Sequence, residues 1–210
     1  MGREPAVFGL IFRPLNRTIR ARPPMEFYHR WLFPVLWWSW VAYWIASSFG
    51  VLRAKRVLPA PGRLRMACEM AFAWWLLVST SFRGTWLAAP ILPYSEAQFW
   101  IGGAVTAAGL GFSVWARVHL GVYWSGNVTL KEGHRLIRSG PYRLVRHPIY
   151  TGILFGMLGS AIAKDQVLGL LAVAVTVVSF VRKLRIEEKW LTEEFGEEYL
   201  QYRREVRALL

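Results

Sequence analysis

Cysteine and acidic residues are both scarce in this chain. The single cysteine among the 210 residues, Cys68, excludes an intrachain disulfide and argues against a cysteine-based metal site. His29, His119 and His134 are too scattered to suggest a site of their own, so we predict no metal. The N-terminus lacks a compact apolar core followed by a small-residue cleavage site, so we expect no secretory signal peptide.

The shortage of acids leaves a strong positive charge. Thirteen acidic residues oppose 26 lysines and arginines, which gives a net charge of +13. The basic residues flank apolar runs, as is typical of proteins that contact anionic lipid headgroups. We therefore expect membrane lipids as partners, and neither nucleic acid nor an obligate protein partner.

Apolar residues, in contrast, are abundant. They make up 54% of the chain and include 12 Trp and 12 Phe, more than a soluble domain of this size can bury. The composition therefore predicts an integral membrane protein, and the length allows about four to six spans of about 20 residues each.

Five apolar runs predict an all-α, polytopic bundle of about five transmembrane helices. They cover residues 31–52, 66–82, 99–118, 149–163 and 166–181. Between them we expect a basic linker at 53–65, a proline-containing loop at 83–97, a polar loop at 119–147 and a tight turn at Lys164-Asp165. We divide the chain into an N-terminal interfacial segment with two spans, 1–98, and a core, 99–210.

The charged tail, residues 182–208, predicts a surface helix bent at Gly196. Its apolar residues recur at helical spacing: Leu184, Leu191, Phe195, Tyr199, Tyr202 and Val206. The tail and loop 119–147 are both basic and lie on one side of the membrane, which we predict to be the cytoplasm. Five spans then leave the Arg-rich N-terminus outside, so either the first run is re-entrant or the later charges decide the orientation.

The segment 140–152 combines Arg, His and Tyr side chains directly before an apolar helix. Pro148 is suited to the first helical position, and the free N–H groups of a helix start favour an anion. Arg146 adds a planar donor fork that suits a carboxylate or a phosphate. The alternative is an arginine that reaches lipid headgroups beside a capping histidine, but His147, Tyr142 and Tyr150 favour a functional site.

Glu187 and Glu188 are predicted at the cytoplasmic end of the fifth helix, near Arg146. Adjacent helical residues point about 100° apart, so we expect at most one of them to face a pocket. The alternative is a solvated face with local ion pairs to Arg185 or Lys189. A site with both acid and arginine matches a ligand with an ammonium, a carboxylate and a sulfonium, such as S-adenosylmethionine. Gly109-Leu110-Gly111 could allow close approach of a cofactor, but simple helix packing is the favoured explanation.

These motifs together resemble the isoprenylcysteine carboxyl methyltransferase and phospholipid methyltransferase superfamily. The resemblance covers about residues 100–206. It is carried by Gly109-Leu110-Gly111, Ala116-Arg117, Leu120-Gly121, Trp124-Ser125-Gly126-Asn127, Gly140-Pro141-Tyr142-Arg143, Arg146-His147-Pro148, Tyr150, Gly152, Glu187-Glu188, Leu191, Phe195-Gly196, Glu198-Tyr199 and Tyr202.

The resemblance implies a membrane enzyme that uses S-adenosylmethionine, with loop 119–147 covering the cofactor. By motif it implies cofactor-binding roles for His119, Leu120, Asn127, Leu136, Tyr142, His147, Tyr150, Glu187 and Glu188. The catalytic residues are predicted to be Arg146, which orients an acceptor carboxylate, and Glu188. Which of Glu187 and Glu188 contacts the cofactor stays open.

The acceptor is expected to be lipophilic and to enter sideways from the bilayer. A prenylcysteine-like carboxylate is favoured, since the tail matches that branch more closely and a carboxylate needs no general base. A phospholipid amine must lose a proton, which requires a base such as His147 or a glutamate. Two other classes stay open, an NADPH-dependent sterol-type reductase and a non-enzymatic membrane scaffold.

Overall fold

The computed structural model describes residues 23–49, 51–52, 54–93, 95–124, 129–131 and 136–210. This part of the chain contains six α-helices and two short strands. In chain order they are α1 (Pro23–Ala46), β1 (Ala54–Val57), α2 (Ala60–Val78), α3 (Glu96–Leu120), β2 (Thr129–Lys131), α4 (Pro148–Lys164), α5 (Val167–Phe195) and α6 (Glu197–Glu205). Short 3-10 helices lie at Trp86–Ala88, Gly121–Tyr123 and Gly140–Arg143.

All five predicted apolar runs are helical, but their limits differ. The first two helices begin at Pro23 and Ala60, several residues before the uncharged runs. Arginines at a helix end do not interrupt the backbone hydrogen bonds, so charge is a poor marker of where a helix starts.

The separate surface helix predicted for 182–208 is wrong in its first half. Residues 182–195 continue α5, which is 29 residues long, because this stretch has no proline or glycine to end it. The predicted bend at Gly196 is confirmed. Gly196 has a φ of +53°, a conformation that favours glycine, and it separates α5 from α6.

Helices α3 and α4 pack almost backbone to backbone. A Cβ atom added to Gly109 would lie 2.6 Å from the carbonyl oxygen of Gly152, and one added to Gly102 would lie 2.5 Å from that of Gly159. A Cβ atom added to Gly111 would have no other atom within 4 Å. The helix-packing explanation of Gly109 is therefore the correct one, since small residues let helices approach closely.

The predicted helical hairpin of α4 and α5 is confirmed. Helix α4 begins at Pro148 and ends at Lys164, and Asp165, in the left-handed conformation with φ +50°, turns the chain into α5. The two helices run antiparallel and pack against each other. This geometry brings the polar end of α5 back to the start of α4.

Two strands lie in segments predicted to be linker and loop. β1 and β2 pair antiparallel, with Arg56 opposite Leu130. Lys55 and Arg56 also form ion pairs with Glu194 and Glu193 at the end of α5, at 2.8 and 2.7 Å. Strands this short have too few residues for an alternating pattern to stand out, so the sequence gives little sign of them.

Two of the described helices are long and apolar enough to cross a membrane by length and composition, α3 with its continuation to Tyr123 and α5. Large apolar side chains are exposed along other helices, including Trp38 and Val78, which are 72% and 64% exposed. Outward-facing apolar residues suit a lipid environment. The number of five spans, the cytoplasmic tail and the division at residue 98 stay predictions.

Candidate active site

The start of α4 carries the centre of the candidate site. His147 is the N-cap residue and Pro148 occupies the first turn, as predicted. The preceding segment is held by the C-terminal tail, because the backbone N–H groups of Arg146 and His147 donate to the carbonyls of Arg207 and Ala208 at 2.8 and 3.1 Å. The two basic side chains of Arg146 and His147 are thereby held toward the carboxylates of α5.

Arg146 and Glu188 form a buried ion pair. The Nε and Nη2 atoms of Arg146 donate to one carboxylate oxygen of Glu188, at 2.9 and 2.5 Å. The two side chains are only 8% and 13% exposed. Charge-assisted hydrogen bonds of this kind are short and strong. The pair therefore ties the start of α4 to the middle of the polar part of α5.

The guanidinium of Arg146 also holds the C-terminal tail. Its Nη1 atom donates to the carbonyl of Arg203 at 3.1 Å and to the carbonyl of Val206. An arginine has five N–H donors, and these contacts to Glu188 and the tail use four of them. Arg146 is thus mostly committed to bonds within the protein.

The ring of His147 lies between Glu187 and Glu188, so both glutamates approach the same side chain, and the expectation that at most one of them faces a pocket stays a prediction. His147 Nδ1 is 3.6 Å from a carboxylate oxygen of Glu187, and His147 Nε2 is 3.4 Å from Glu188. Side chains 100° apart on a helix can reach opposite edges of one ring on a neighbouring helix. Glu187 and Glu188 thus contact residues at the start of α4. Lys189, which the sequence offered as a local partner, approaches Glu193 instead, at 3.9 Å.

Glu187 has the more open carboxylate of the two. One of its oxygens accepts a hydrogen bond of 2.5 Å from the hydroxyl of Tyr150. The other lies 3.6 Å from His147, beyond hydrogen-bonding distance, and the side chain is 20% exposed. The rings of His147 and Tyr150 are parallel within 5°, with centroids 5.6 Å apart. Glu187 therefore has an oxygen that can still accept hydrogen bonds beside an aromatic wall.

Three tyrosines around the site stay neutral far above physiological pH. Burial raises the pKa of Tyr142 well above its usual range, the charge of Glu187 raises it further, and Arg117 opposes the shift. Burial also raises the pKa of Tyr199, with Glu188 adding to the effect and Arg146 opposing it. The pKa of Tyr202 is raised to about 12 by burial. Its hydroxyl donates to the carbonyl of Tyr142 at 2.5 Å, which joins α6 to the 3-10 turn.

His119 lies at the edge of this group. Its ring is 2.8 Å from the hydroxyl of Ser139 and stacks over Tyr142 with centroids 6.4 Å apart. Gly140, with a φ of +59°, lies against the same ring, and a Cβ atom there would approach it to 2.7 Å. Leu120 ends α3 beside His119, and Leu136 is half-buried. The predicted site residue Asn127 lies outside the described residues.

Arg117 is a residue of this region to which the sequence analysis gave no role. It lies in the last turn of α3, is only 5% exposed and donates to the carbonyls of Gly121 and Ser47. Its Nε atom is buried without a hydrogen-bond partner in the described part of the chain, and no carboxylate there pairs with it. A buried charge normally has a partner of opposite sign. The signal in the sequence was a single arginine inside an otherwise apolar run.

No group of three His, Cys, Asp or Glu side chains that could hold a metal ion occurs in the regions that the structure describes. The arrangement instead suits organic ligands with charged groups. Carboxylates of α5 face Arg146 and His147, which directly precede α4, and Tyr150 in its first turn. Such a site can bind a ligand that carries a cationic or hydrogen-bond-donating group.

Comparison with known proteins extends the picture for the second half of the chain. Residues 97–198 match the family described as phospholipid methyltransferase. A probable protein-S-isoprenylcysteine O-methyltransferase of Oryza sativa subsp. indica is 32% identical over 106 residues, which are 50% of each chain. The human protein-S-isoprenylcysteine O-methyltransferase is 36% identical over 76 residues, 36% of this chain and 27% of its own.

A third relative covers more of the chain at lower identity. The cobalt-zinc-cadmium resistance protein CzcN of Cupriavidus metallidurans is 26% identical over 149 residues, 70% of this chain and 61% of its own. The chain matches between 39% and 50% of the length of the first plant relatives. The resemblance inferred from the sequence is confirmed: over residues 97–198 the chain is similar to phospholipid methyltransferases and isoprenylcysteine O-methyltransferases.

Proposed function

We propose that this protein methylates the carboxylate of a lipophilic, prenylcysteine-like acceptor with S-adenosylmethionine as methyl donor. The observation that carries the proposal is the cluster of Arg146, His147 and Tyr150 against Glu187 and Glu188. It lies inside the segment that matches methyltransferases, several of which carry names that specify isoprenylcysteine. We further propose a multi-pass membrane protein with this site on the cytoplasmic side, which the basic residues around it support.

The residues present fit S-adenosylmethionine. When bound, it supplies an electrophilic methyl group on a sulfonium, together with an ammonium and ribose hydroxyls that donate hydrogen bonds. The open oxygen of Glu187 can accept such a bond, and His147 and Tyr150 offer a flat aromatic wall beside it. These contacts support Glu187, rather than Glu188, as the proposed cofactor-binding acid.

Arg117 is proposed to hold the acceptor carboxylate. It is buried and has a free Nε donor, and no carboxylate pairs with it among the described residues. Arg117 and Glu187 both act on Tyr142 electrostatically, so we place the acceptor carboxylate and the cofactor in the neighbourhood of this tyrosine. Alignment of the two with exclusion of water would then supply most of the rate acceleration.

Arg146, which the sequence suggested as the acceptor ligand, is proposed as a positioning residue. Its contacts to Glu188 and to the tail use four of its donors, so turning it toward an acceptor would leave Glu188 buried with a weaker set of partners. In this arrangement Glu188 fixes His147 and Arg146, and Glu187 contacts the ligand.

The runner-up is methylation of a phospholipid amine, which the description of the matching family favours. An amine acceptor needs a base that takes its proton in the reaction. Both ring nitrogens of His147 face carboxylates at 3.4 and 3.6 Å, which orients them away from an acceptor. A carboxylate acceptor needs no such base, and this difference decides our preference.

The first test is binding followed by turnover, with full-length protein purified in detergent. We expect calorimetry to show micromolar binding of S-adenosylhomocysteine and none of NADPH. With labelled S-adenosylmethionine, we expect methyl transfer to N-acetyl-S-farnesylcysteine and none to phosphatidylethanolamine. NADPH binding alone would move the protein to the reductases, and methylated phosphatidylethanolamine would establish the runner-up.

The two arginines are then separated by substitution. Arg117→Gln should lower turnover at least about 100-fold while S-adenosylhomocysteine affinity changes less than about threefold, because the lost contact serves only the acceptor. Arg146→Gln should lower thermal stability and cofactor affinity together. Arg143→Gln is the matched control, because Arg143 is an exposed arginine of the 3-10 helix Gly140–Arg143, close in sequence to Arg146. Full turnover in Arg117→Gln would refute the assignment.

A further inference from the structure

A cavity lies between α1 and α2, away from the candidate active site. Its volume is about 530 Å³, within the range of about 300–1,000 Å³ that small-molecule sites occupy. Helix α1 packs on α3 and α2 packs on α5, and the cavity lies beside the point where Trp37 of α1 meets Trp74 of α2, with ring centroids 4.4 Å apart. We call this cavity the α1–α2 groove; its lining includes Phe33, Trp37, Trp38, Val41, Trp74, Leu77, Val78 and Phe99.

The groove has a closed apolar floor and walls that extend to the outer surface. Trp37, Leu77 and Phe99 are at most 7% exposed, whereas Trp38 and Val78 at the rim are 72% and 64% exposed. The floor contains one polar pair, in which the indole N–H of Trp37 donates to Ser160 at 3.0 Å. A cavity with its polar atoms already paired and its rim apolar suits a hydrocarbon chain.

The far end of α4 supplies a positive charge at the edge of the groove. Lys164 is a lining residue, and its ammonium donates to the carbonyls of Leu77 and Ser79 at 2.5 and 3.2 Å. In the described regions no carboxylate pairs with Lys164. The two nearby acids have other contacts: Asp165 accepts from the N–H of Leu92 at 3.1 Å, and Glu96 lies 3.2 Å from His29.

We propose that the α1–α2 groove binds one acyl chain of an anionic membrane phospholipid, with the phosphate of the headgroup on Lys164. The ammonium has a third donor that the two carbonyls do not use, and its charge complements a phosphate. Helix α4 has 17 residues and a length of about 25 Å, so this site lies at the opposite end of the bundle from Arg146. The lipid is therefore neither the methyl acceptor nor a ligand of the cofactor region.

The test is native mass spectrometry of the full-length protein in detergent, with phosphatidylglycerol and phosphatidylcholine that carry the same acyl chains. Wild-type protein should retain phosphatidylglycerol about tenfold more than phosphatidylcholine, because the choline cation offsets the phosphate charge and leaves phosphatidylcholine without the net negative charge that Lys164 attracts. Lys164→Gln should remove this preference but still retain lipid, because the chain-binding part is intact. Val41→Trp, which fills the half-buried wall of the groove, should reduce retention of both lipids at least about tenfold.

Arg83→Gln is the matched control, since Arg83 is an exposed cation of the loop after α2 and does not line the groove. It should keep the preference of the wild-type protein. Equal retention of the two lipids by wild type, an unchanged preference in Lys164→Gln, or unchanged retention in Val41→Trp would each overturn the proposal. A lipid-free dimer would identify a second copy as the occupant and would overturn it as well. Circular dichroism of each variant checks folding, and no readout depends on methyl transfer.

Discussion

The sharpest consequence of the site geometry concerns how Glu187 and Glu188 divide their tasks. Glu188 receives two charge-assisted hydrogen bonds from Arg146, and both side chains are nearly inaccessible. Glu188→Gln removes the negative charge and leaves the buried guanidinium uncompensated. Breaking a buried pair in this way costs about 3–5 kcal/mol. Because the amide oxygen of Gln still accepts one bond, we expect the lower end of that range.

Glu187→Gln should behave differently. Its structural bond comes from the Tyr150 hydroxyl, which can donate to the amide oxygen of Gln as well, so the stability cost should stay below about 1 kcal/mol. The lost charge instead weakens the contact to a cofactor ammonium or hydroxyl. We expect S-adenosylhomocysteine affinity to fall about 10–100-fold, which corresponds to about 1.4–2.8 kcal/mol.

Two measurements on the same detergent preparations check this division. For a chain of this size about 3 kcal/mol corresponds to a fall in Tm of about 6–12 °C, which is expected for Glu188→Gln alone. Calorimetry with S-adenosylhomocysteine should show a loss of affinity of about 10–100-fold in Glu187→Gln, although the Tm of this variant changes little. Glu193→Gln, on the exposed face of α5, is the control and should change neither value. Equal Tm and equal affinity in the Glu187 and Glu188 variants would refute the reasoning.

Three further predictions follow from the packing and the charges. Gly152→Ala should strongly lower Tm, since its Cβ would lie 2.4 Å from the carbonyl oxygen of Gly109. Gly111→Ala, where a Cβ meets no atom within 4 Å, should instead raise the free energy of unfolding by up to about 1 kcal/mol. Equal effects of the two substitutions would contradict the close α3–α4 contact. The pKa of Tyr202 is raised to about 12 in the folded state, so above about pH 10 the folded state binds more protons than the unfolded state. The free energy of unfolding should therefore fall as the pH rises from about 10 to 12. Tyr202→Phe should flatten that decline in chemical denaturation, and an unchanged slope would contradict it. A double-mutant cycle of Lys55→Ala and Glu194→Ala should give a coupling free energy below about 1 kcal/mol, because the Lys55 side chain is 56% exposed. A larger coupling energy would contradict this and would show that the strand pair is firmly fixed to α5.

Much of the fold follows from features that the sequence displays openly. Long apolar runs predicted where the helices lie, Pro148 predicted the start of α4, and Gly196 predicted the bend that separates α5 from α6. The end of the apolar run at 181 did not predict a helix end, since a helix continues through charged residues when nothing breaks its backbone pattern.

The site was predictable as a set of residues but not as a set of contacts. The motif 146–150 and the glutamates were expected to meet, and they do. The commitment of Arg146 to the tail was not foreseeable, because it depends on carbonyl groups that carry no sequence signal. Arg117 was overlooked for a similar reason: its importance comes from burial without a carboxylate partner, which only packing reveals.

The strand pair makes the two halves of the chain depend on each other. β1 belongs to the half without a family match, and its partner β2 lies in the loop that leads to the candidate site. The carbonyl of Ser47, from the same half, also accepts a hydrogen bond from Arg117. A fragment cut at residue 98 would lose both contacts, so the segment that matches the family model is held in part by residues outside it.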